Sequence, residues 1–290
     1  MINALSIDVE EYFQVEAFAE IVRPNEWESF TPRVVQNTEK ILDLLDRFGV
    51  KATFFCLGWV AQRHPGLIKK IAAQGHEVAS HGFSHRPLFR LTPKEFRKEI
   101  RESKKILEDL SGQEIQGFRA PTYSITRKTL WGLEILAEEG YRYDSSIFPI
   151  HHDLYGFPEA PRFPFKVRLK GKDLRLIEFP ASTVKIGKIN WPVAGGGYFR
   201  LFPYTLTRIF LSRINVKEDR PFVFYLHPWE LDPDQPRIKH APLKSRFRHY
   251  LNLQKTEKKF KRLLSDFRFA PIREIIQNLK SIPEHLLWKE

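Results

Sequence analysis

The sequence predicts an α/β protein in which parallel strands close, or nearly close, into a barrel with a C-terminal extension packed on it. Apolar runs of strand length alternate with stretches of helical periodicity, an order that calls for parallel pairing. Glycine, proline and threonine stand where helices start and stop. Asp8, His81, Arg119, Asp144 and His227 each end a separate expected strand, and the C-terminal ends of the strands are where barrels of this class carry their sites.

Taken in order, residues 3–10 form the first strand and run from apolar side chains into carboxylates. Positions i and i+2 of a strand face one side, so Asp8 and Glu10 address one cleft. Residues 11–30 are aromatic and acidic without a clean period, and are expected as a long loop over those carboxylates. Pro32 opens a helix in which Val34, Val35, Ile41, Leu42, Leu45 and Phe48 recur at helical spacing and which Gly49 closes. Residues 51–57 are the second strand, and a helix around 65–72 ends at Gly75. The third strand delivers Ser80-His81-Gly82-Phe83-Ser84-His85. Thr92, Pro93 and Glu95 form a capping box at the head of a helix that reaches about Leu110. Residues 115–119 are the fourth strand, Thr126 caps a helix that Gly140 ends, and 141–144 are the fifth strand. Beyond Ser146 the alternation lapses into a stretch rich in proline and aromatics. Residues 174–179 and 222–226 then read as two further strands, separated by the Gly195-Gly196-Gly197 run and a helix near 204–214.

With 290 residues, 42% of them hydrophobic, the chain is long enough for one large core, and one domain over 1–290 is expected, with the last strands and the extension in about 150–290. The first residues offer no basic or apolar leader region and no run of apolar residues reaches spanning length, so a cytoplasmic chain is expected. Cys56, the single cysteine, lies in an apolar strand and reads as a buried structural thiol. The balance of 47 basic against 35 acidic residues, net +12, suits an acidic substrate or an anionic membrane surface. No zinc-finger or RNP-type signature accompanies it, and nucleic acid is not expected as a partner. The cations of residues 244–262 read as the solvated face of a helix.

Two imidazoles four residues apart at a strand end can grip a divalent ion, but a catalytic site usually takes three protein ligands and keeps one position open. A carboxylate must come from elsewhere, and the first strand supplies two, one of them left over as a base. The plainer alternative is a surface loop with unrelated histidines. His76, His151 and His152 read as structural or surface groups, and the glycine run as a tight turn near the cleft, since it lacks the Lys-Ser/Thr of a phosphate loop. Trp191, Tyr198, Phe199 and Trp229 suit either sugar stacking or the core.

Five motifs, in this order, resemble the polysaccharide deacetylases of the NodB-homology kind, carbohydrate esterase family 4. They are Ser6-Ile7-Asp8-Val9-Glu10, Ser80-His81-Gly82-Phe83-Ser84-His85, Arg119-Ala120-Pro121, Tyr143-Asp144-Ser145-Ser146 and Tyr225-Leu226-His227-Pro228-Trp229-Glu230. The remainder, with Gly195-Gly196-Gly197-Tyr198-Phe199-Arg200 and Arg246-Phe247-Arg248-His249-Tyr250, resembles the extension of the exosortase- and exopolysaccharide-associated branch. The resemblance implies a distorted (β/α)7 barrel and metal-dependent removal of N-acetyl groups from hexosamines. It further implies Asp8 as general base, His81 and His85 as ligands of a Zn²⁺-type ion, Arg119 as the group that orients the base, and Asp144 as the group that tunes the acid, His227. Val9 stands where the family usually has a second, metal-binding aspartate, so Glu10 is expected as third ligand. Thr122 stands where an aromatic usually follows the proline, and Tyr123 is expected to substitute on the substrate side, with Tyr198 and Trp229.

Two rival readings stay open: a metal-independent amidohydrolase of the same fold that opens a small cyclic amide, and a non-catalytic binding module for anionic polymer. A lipid-linked substrate at the inner membrane face would give the basic C-terminal face a use.

Overall fold

Alternate side chains of the first strand, β1 (Ile2–Val9), go to two different cores. Leu5, Ile7 and Val9 pack with the surrounding helices, whereas Ala4 joins Phe55, Ala79, Tyr143, Phe179 and Val223 in a smaller inner cluster. A strand with both faces buried in this way is the wall of a barrel, its inside filled by side chains and its outside covered by helices. The computed structural model describes residues 1–152 and 154–288.

Six more strands share that wall: β2 (Thr53–Cys56), β3 (Glu77–Ser80), β4 (Gly117–Phe118), β5 (Tyr143–Asp144), and, beyond β6 (Phe165–Leu169), β7 (Lys172–Glu178). After an antiparallel hairpin of β8 (Thr183–Ile186) and β9 (Ile189–Pro192) comes the seventh, β10 (Val223–Leu226). The order β10-β1-β2-β3-β4-β5-β7 is parallel throughout, so the expected seven strands form and the last lies beside the first. This is the (β/α)7 barrel-like fold. Its seam falls between β7 and β10, where the Val223 N–H donates to Ser182 Oγ and Gly195 bridges Tyr225 in place of a strand ladder.

Five expected helices form, the one capped by Thr126 as a 3₁₀ turn Arg127–Thr129 that leads into the helix Trp131–Glu138, and the capping box is complete: Glu95 N–H donates to Thr92 Oγ1 and Thr92 N–H to Glu95 Oε2 at the head of the helix Pro93–Ser111. The sequence reading passed over the helices Gly58–Arg63, Gly196–Leu201 and Ile272–Asn278 and five strands. Of these, β6 pairs antiparallel with β7, β11 (Arg268–Ala270) takes the first residues of β1, and β12 (Glu284–Trp288) pairs with β6. Such strands are short and most are partly exposed, so they lack the unbroken apolar run of a buried parallel strand. Residues 11–30 contain two 3₁₀ turns, Glu16–Phe18 and Pro24–Ser29, and Phe13, Phe18 and Trp27 are buried beneath them. The helix Ile272–Asn278 closes the bottom of the barrel, where its Ile272 N–H donates to Thr53 Oγ1. No helix among the described residues is long and apolar enough to cross a membrane.

Candidate active site

Strand register explains why the motif residues meet. In one line across the sheet lie Val9, Cys56, Ser80, Phe118, Asp144 and Glu178, and on the other side of β1 Ile7 is level with Leu226. His81 and Arg119 therefore follow directly behind the same rung, and Asp8 and His227 leave adjacent strands side by side. Parallel strands of equal register bring their C-terminal residues to a common mouth.

On one wall stand Glu10, His81 and His85, all buried, with ligand atoms within 4.8 Å of one another. His81 Nδ1–H donates to the Arg119 carbonyl at 2.7 Å, which turns the lone pair of Nε2 toward Glu10. His85 adopts φ 53°, a left-handed backbone that a β-carbon makes costly, and this sets its Nε2 2.6 Å from Glu10 Oε2. Glu10 Oε2 receives no hydrogen bond at that distance, while Oε1 accepts from the Trp229 indole N–H. A buried carboxylate oxygen and two imidazole nitrogens gathered this closely fit a divalent cation. Burial opposes the charge of Glu10, but His85, His227 and His81 hold it below the usual carboxylate range. Burial also drops His81 to about 4, leaving it neutral as a ligand must be.

Next to this cluster Arg119 donates through one Nη to Asp8 Oδ1 (2.7 Å) and to Ser6 Oγ, and through Nε and its other Nη to Ser145. The fully buried guanidinium also lies 4.2 Å from the centre of the Phe55 ring. Asp8 thus has a fixed cationic partner, as expected.

The opposite wall departs from expectation. His227 Nε2 points to the carboxylates, 3.6 Å from Glu10 and 3.9 Å from Asp8, and its Nδ1 is 2.7 Å from Glu230 Oε1. Glu230, not Asp144, is therefore the carboxylate behind His227. Asp144 instead accepts from Ser146 Oγ, which in turn accepts from the Ala120 N–H, so it braces the Arg119-Ala120-Pro121 loop. The register above also seats it beside Glu178, and burial raises both acids, so the pair keeps a proton on Glu178. Burial opposes the charge of His227 as well, yet Glu10, the hydrogen bond to Glu230 and Asp8 together lift it to about 9.

Glu230 is held by Arg200 Nε at 2.7 Å, and Arg200 also donates to the carbonyls of His249 and Leu251. Gly195 and Gly196 make this possible. A Cβ on Gly196 would come 1.7 Å from Glu230 and one on Gly195 2.4 Å from Tyr225, so the run allows close approach where a tight turn was expected. Trp229, expected on the substrate side, lines the cleft through a largely buried ring that stacks on His227 and on His249, with its N–H on Glu10. Tyr123 and Tyr198 do line the cleft, and Thr122, at φ 60°, lines it between Ala120 and Tyr123.

These groups share a cleft of about 520 Å³, whose wall also includes His152 and, on the extension, Lys244, Phe247 and Arg248. His76 is structural, its Nδ1 accepting from the Ala52 N–H, and Cys56 is buried with its thiol pushed far up by desolvation. Arg200, Glu230 and His249 were missed as functional residues. The signal was a glycine run ending in arginine and a glutamate three residues after His227, but neither points to the other over 30 residues of sequence. Lys259, expected on a solvated face, caps the helix Gly196–Leu201 by donating to the carbonyls of Phe199, Arg200 and Phe202.

Residues 29–143 match the polysaccharide deacetylase family and residues 145–277 a domain of unknown function, DUF3473. The chain is 39% identical over 98 residues to a peptidoglycan-N-acetylglucosamine deacetylase of Bacillus cereus, covering 33% of this chain and 36% of the relative. It is 33% identical over 156 residues to a peptidoglycan deacetylase-like protein of Gibberella zeae, covering 49% and 45%. A chitooligosaccharide deacetylase of Bradyrhizobium is 32% identical over 100 residues, 34% of this chain and 43% of that one. The chain thus spans less than half the length of each of these curated relatives. Among solved structures, a Mycobacterium smegmatis protein assigned to the polysaccharide deacetylases superposes with a TM-score of 0.63 at 21% identity, over 99% of this chain and 93% of that one. A PuuE allantoinase does so with 0.58 at 17% identity, over 94% and 88%; both likenesses concern the fold.

Proposed function

We propose, from the premise that the chain carries a polysaccharide deacetylase domain of the NodB-homology, carbohydrate esterase family 4 kind followed by a DUF3473 extension, that it removes N-acetyl groups from hexosamine residues of a polysaccharide or its lipid-linked precursor. The observation that carries this reading is the orphaned Glu10 Oε2 beside His81 and His85, with Asp8–Arg119 on one side and His227–Glu230 on the other.

Glu10, His81 and His85 would hold a divalent ion of the Zn²⁺ type, which supplies Lewis-acid polarisation of the acetyl carbonyl and of the attacking water. Asp8, oriented by Arg119, takes the proton of that water as it adds to the carbonyl carbon. His227, charged and held by Glu230, donates a proton to the sugar nitrogen as the C–N bond breaks, so that acetate and amine leave. Amide cleavage needs this second proton because an unprotonated amine is a poor leaving group. The left-handed backbone at Thr122 supports its N–H as a donor to the developing oxyanion. The exposed cations outside the cleft, Arg246, Lys255 and Lys258 among them, support a place on the cytoplasmic side, peripheral at the inner membrane face.

The test is acetate release from an N-acetylated chitooligosaccharide, before and after the protein is stripped with a chelator and reloaded with Zn²⁺. Release that disappears on stripping and returns on reloading is the expected result. Undiminished release from protein verified to be metal-free would sink the metal-dependent reading.

A further inference from the structure

The carboxylates that line the cleft are all accounted for. Asp8 pairs with Arg119, Glu230 with Arg200, Glu16 with Arg90, and Glu10 with the two imidazoles. Two cations in the same lining have no such partner: among the described residues neither Lys244 nor Arg248 has a carboxylate within ion-pair distance. They lie four residues apart on the helix Leu243–Tyr250, with Phe247 between them and Leu251 one turn on, so that a single helix face meets the cleft. Lys244, Phe247 and Arg248 are exposed at the mouth, whereas Asp8 and Glu10 lie buried at the floor.

This helix is anchored. His249, deeper in the same cleft wall, is buried, stacks on Trp229 with ring centres 4.1 Å apart and hydrogen-bonds Gln235 through Nε2, while Arg200 holds the carbonyls of His249 and Leu251. The cations are therefore presented from a fixed backbone tied to the residues around His227. Two positive charges without a carboxylate partner, beside an exposed aromatic ring and at the mouth of a cleft whose own carboxylates are each engaged by other groups, match a sugar that bears an oxyanion.

We propose that this helix face is an anion subsite: the acetamido sugar that reaches the floor carries, on the same or the adjoining unit, a phosphate or carboxylate that Lys244 and Arg248 bind while the unit rests on Phe247. The inference rests on the deacetylase reading and specifies its substrate class as an acidic glycan or a sugar phosphate.

Three probes separate the outcomes: neutral tetra-N-acetylchitotetraose, a tetrasaccharide alternating N-acetylglucosamine with glucuronic acid, and an alkyl phosphodiester of N-acetylglucosamine 1-phosphate. At low salt the metal-loaded protein is expected to turn over at least one acidic probe with kcat/KM about tenfold or more above the neutral one, the factor expected of charge-assisted contacts. Which acidic probe leads identifies carboxylate or phosphate as the source of the charge. The preference should shrink as salt screens the mouth. It should fall toward one in the double variant Lys244→Ala/Arg248→Ala, and survive in Lys244→Arg/Arg248→Lys. Equal kcat/KM on acidic and neutral probes, or an unchanged ratio in the alanine variant, would overturn the subsite and leave the deacetylase reading standing. Acetate release from none of the probes would overturn that reading, and the subsite with it.

Discussion

The two walls of the cleft are built on different scales. On the metal-side wall, Glu10 follows β1 by one residue, while His81 and His85 sit four apart behind β3, all on strands in one register. On the acid-side wall, His227 is held by Glu230, Glu230 by Arg200, and Arg200 donates to the carbonyl of His249, so that one imidazole depends on residues from 200 to 249. A short-range grip sets ligand positions with little help from the rest of the chain. A long-range relay ties the acid to the extension, and with it to the helix that presents Lys244 and Arg248.

The largest effect should break the metal-side wall. His81→Ala removes a ligand and is expected to abolish stoichiometric metal binding and acetate release together, as read by elemental analysis and a coupled acetate assay. A variant that kept a full complement of metal would show that the three donors are not the site.

Breaking the acid-side wall should look different. His227→Ala is expected to retain metal and lower kcat on an amide by roughly 10²–10⁴, the usual range for lost acid catalysis. The loss should be smaller on an acetate ester of an acidic phenol, whose leaving group needs no proton. Equal losses on the two substrates would place His227 in oxyanion binding or folding instead.

Glu230→Gln sharpens the comparison, since it leaves every metal donor in place. A fall in the amide rate of about 10- to 100-fold is expected, as for other residues that orient a reacting imidazole. The acid must be protonated to act, so the basic limb of the pH profile follows the folded pKa of His227, which Glu230 helps to raise. Without the Glu230 charge burial opposes the imidazolium with one carboxylate fewer, and that limb should move to lower pH. Asp144→Asn should leave the limb where it is; movement there instead would restore the tuning role first expected of Asp144.

The smallest effect belongs to neither wall. Glu178, buried and protonated in the fold, has a folded pKa raised above its unfolded value. Between those values the folded state holds a proton that the unfolded chain has lost, so its contribution to stability falls as pH rises. Glu178→Gln keeps the neutral hydrogen-bonding group and removes that slope, so the melting temperature of the variant relative to the parent should rise as pH increases above the ordinary carboxylate range. A difference independent of pH would mean that the pair carries no proton.

Much of the metal-side wall and of the barrel could be read from the residues alone, because both are written in local patterns: apolar runs that end in polar residues, a capping box, two imidazoles four residues apart at a strand end. The edge strands could not, since short half-exposed strands share their composition with loops until a neighbour supplies the hydrogen bonds. Glu230 stood in plain view as a partner for His227, and Asp144 was preferred only through resemblance. Deciding between them required knowing which carboxylate the chain brings to Nδ1, and that depends on Gly196 letting Glu230 and Arg200 meet.

The sequence by itself determined the alternation of strands and helices, the polar residue at the end of each strand, and the chemistry those residues can perform, since each follows from spacing along a few residues of chain. Only the tertiary structure decided which carboxylate charges the acid, what the glycine run is for, and which cations are left without a carboxylate partner at the mouth. Those are differences in distance between side chains tens of residues apart, and a linear pattern does not contain such distances before the barrel closes.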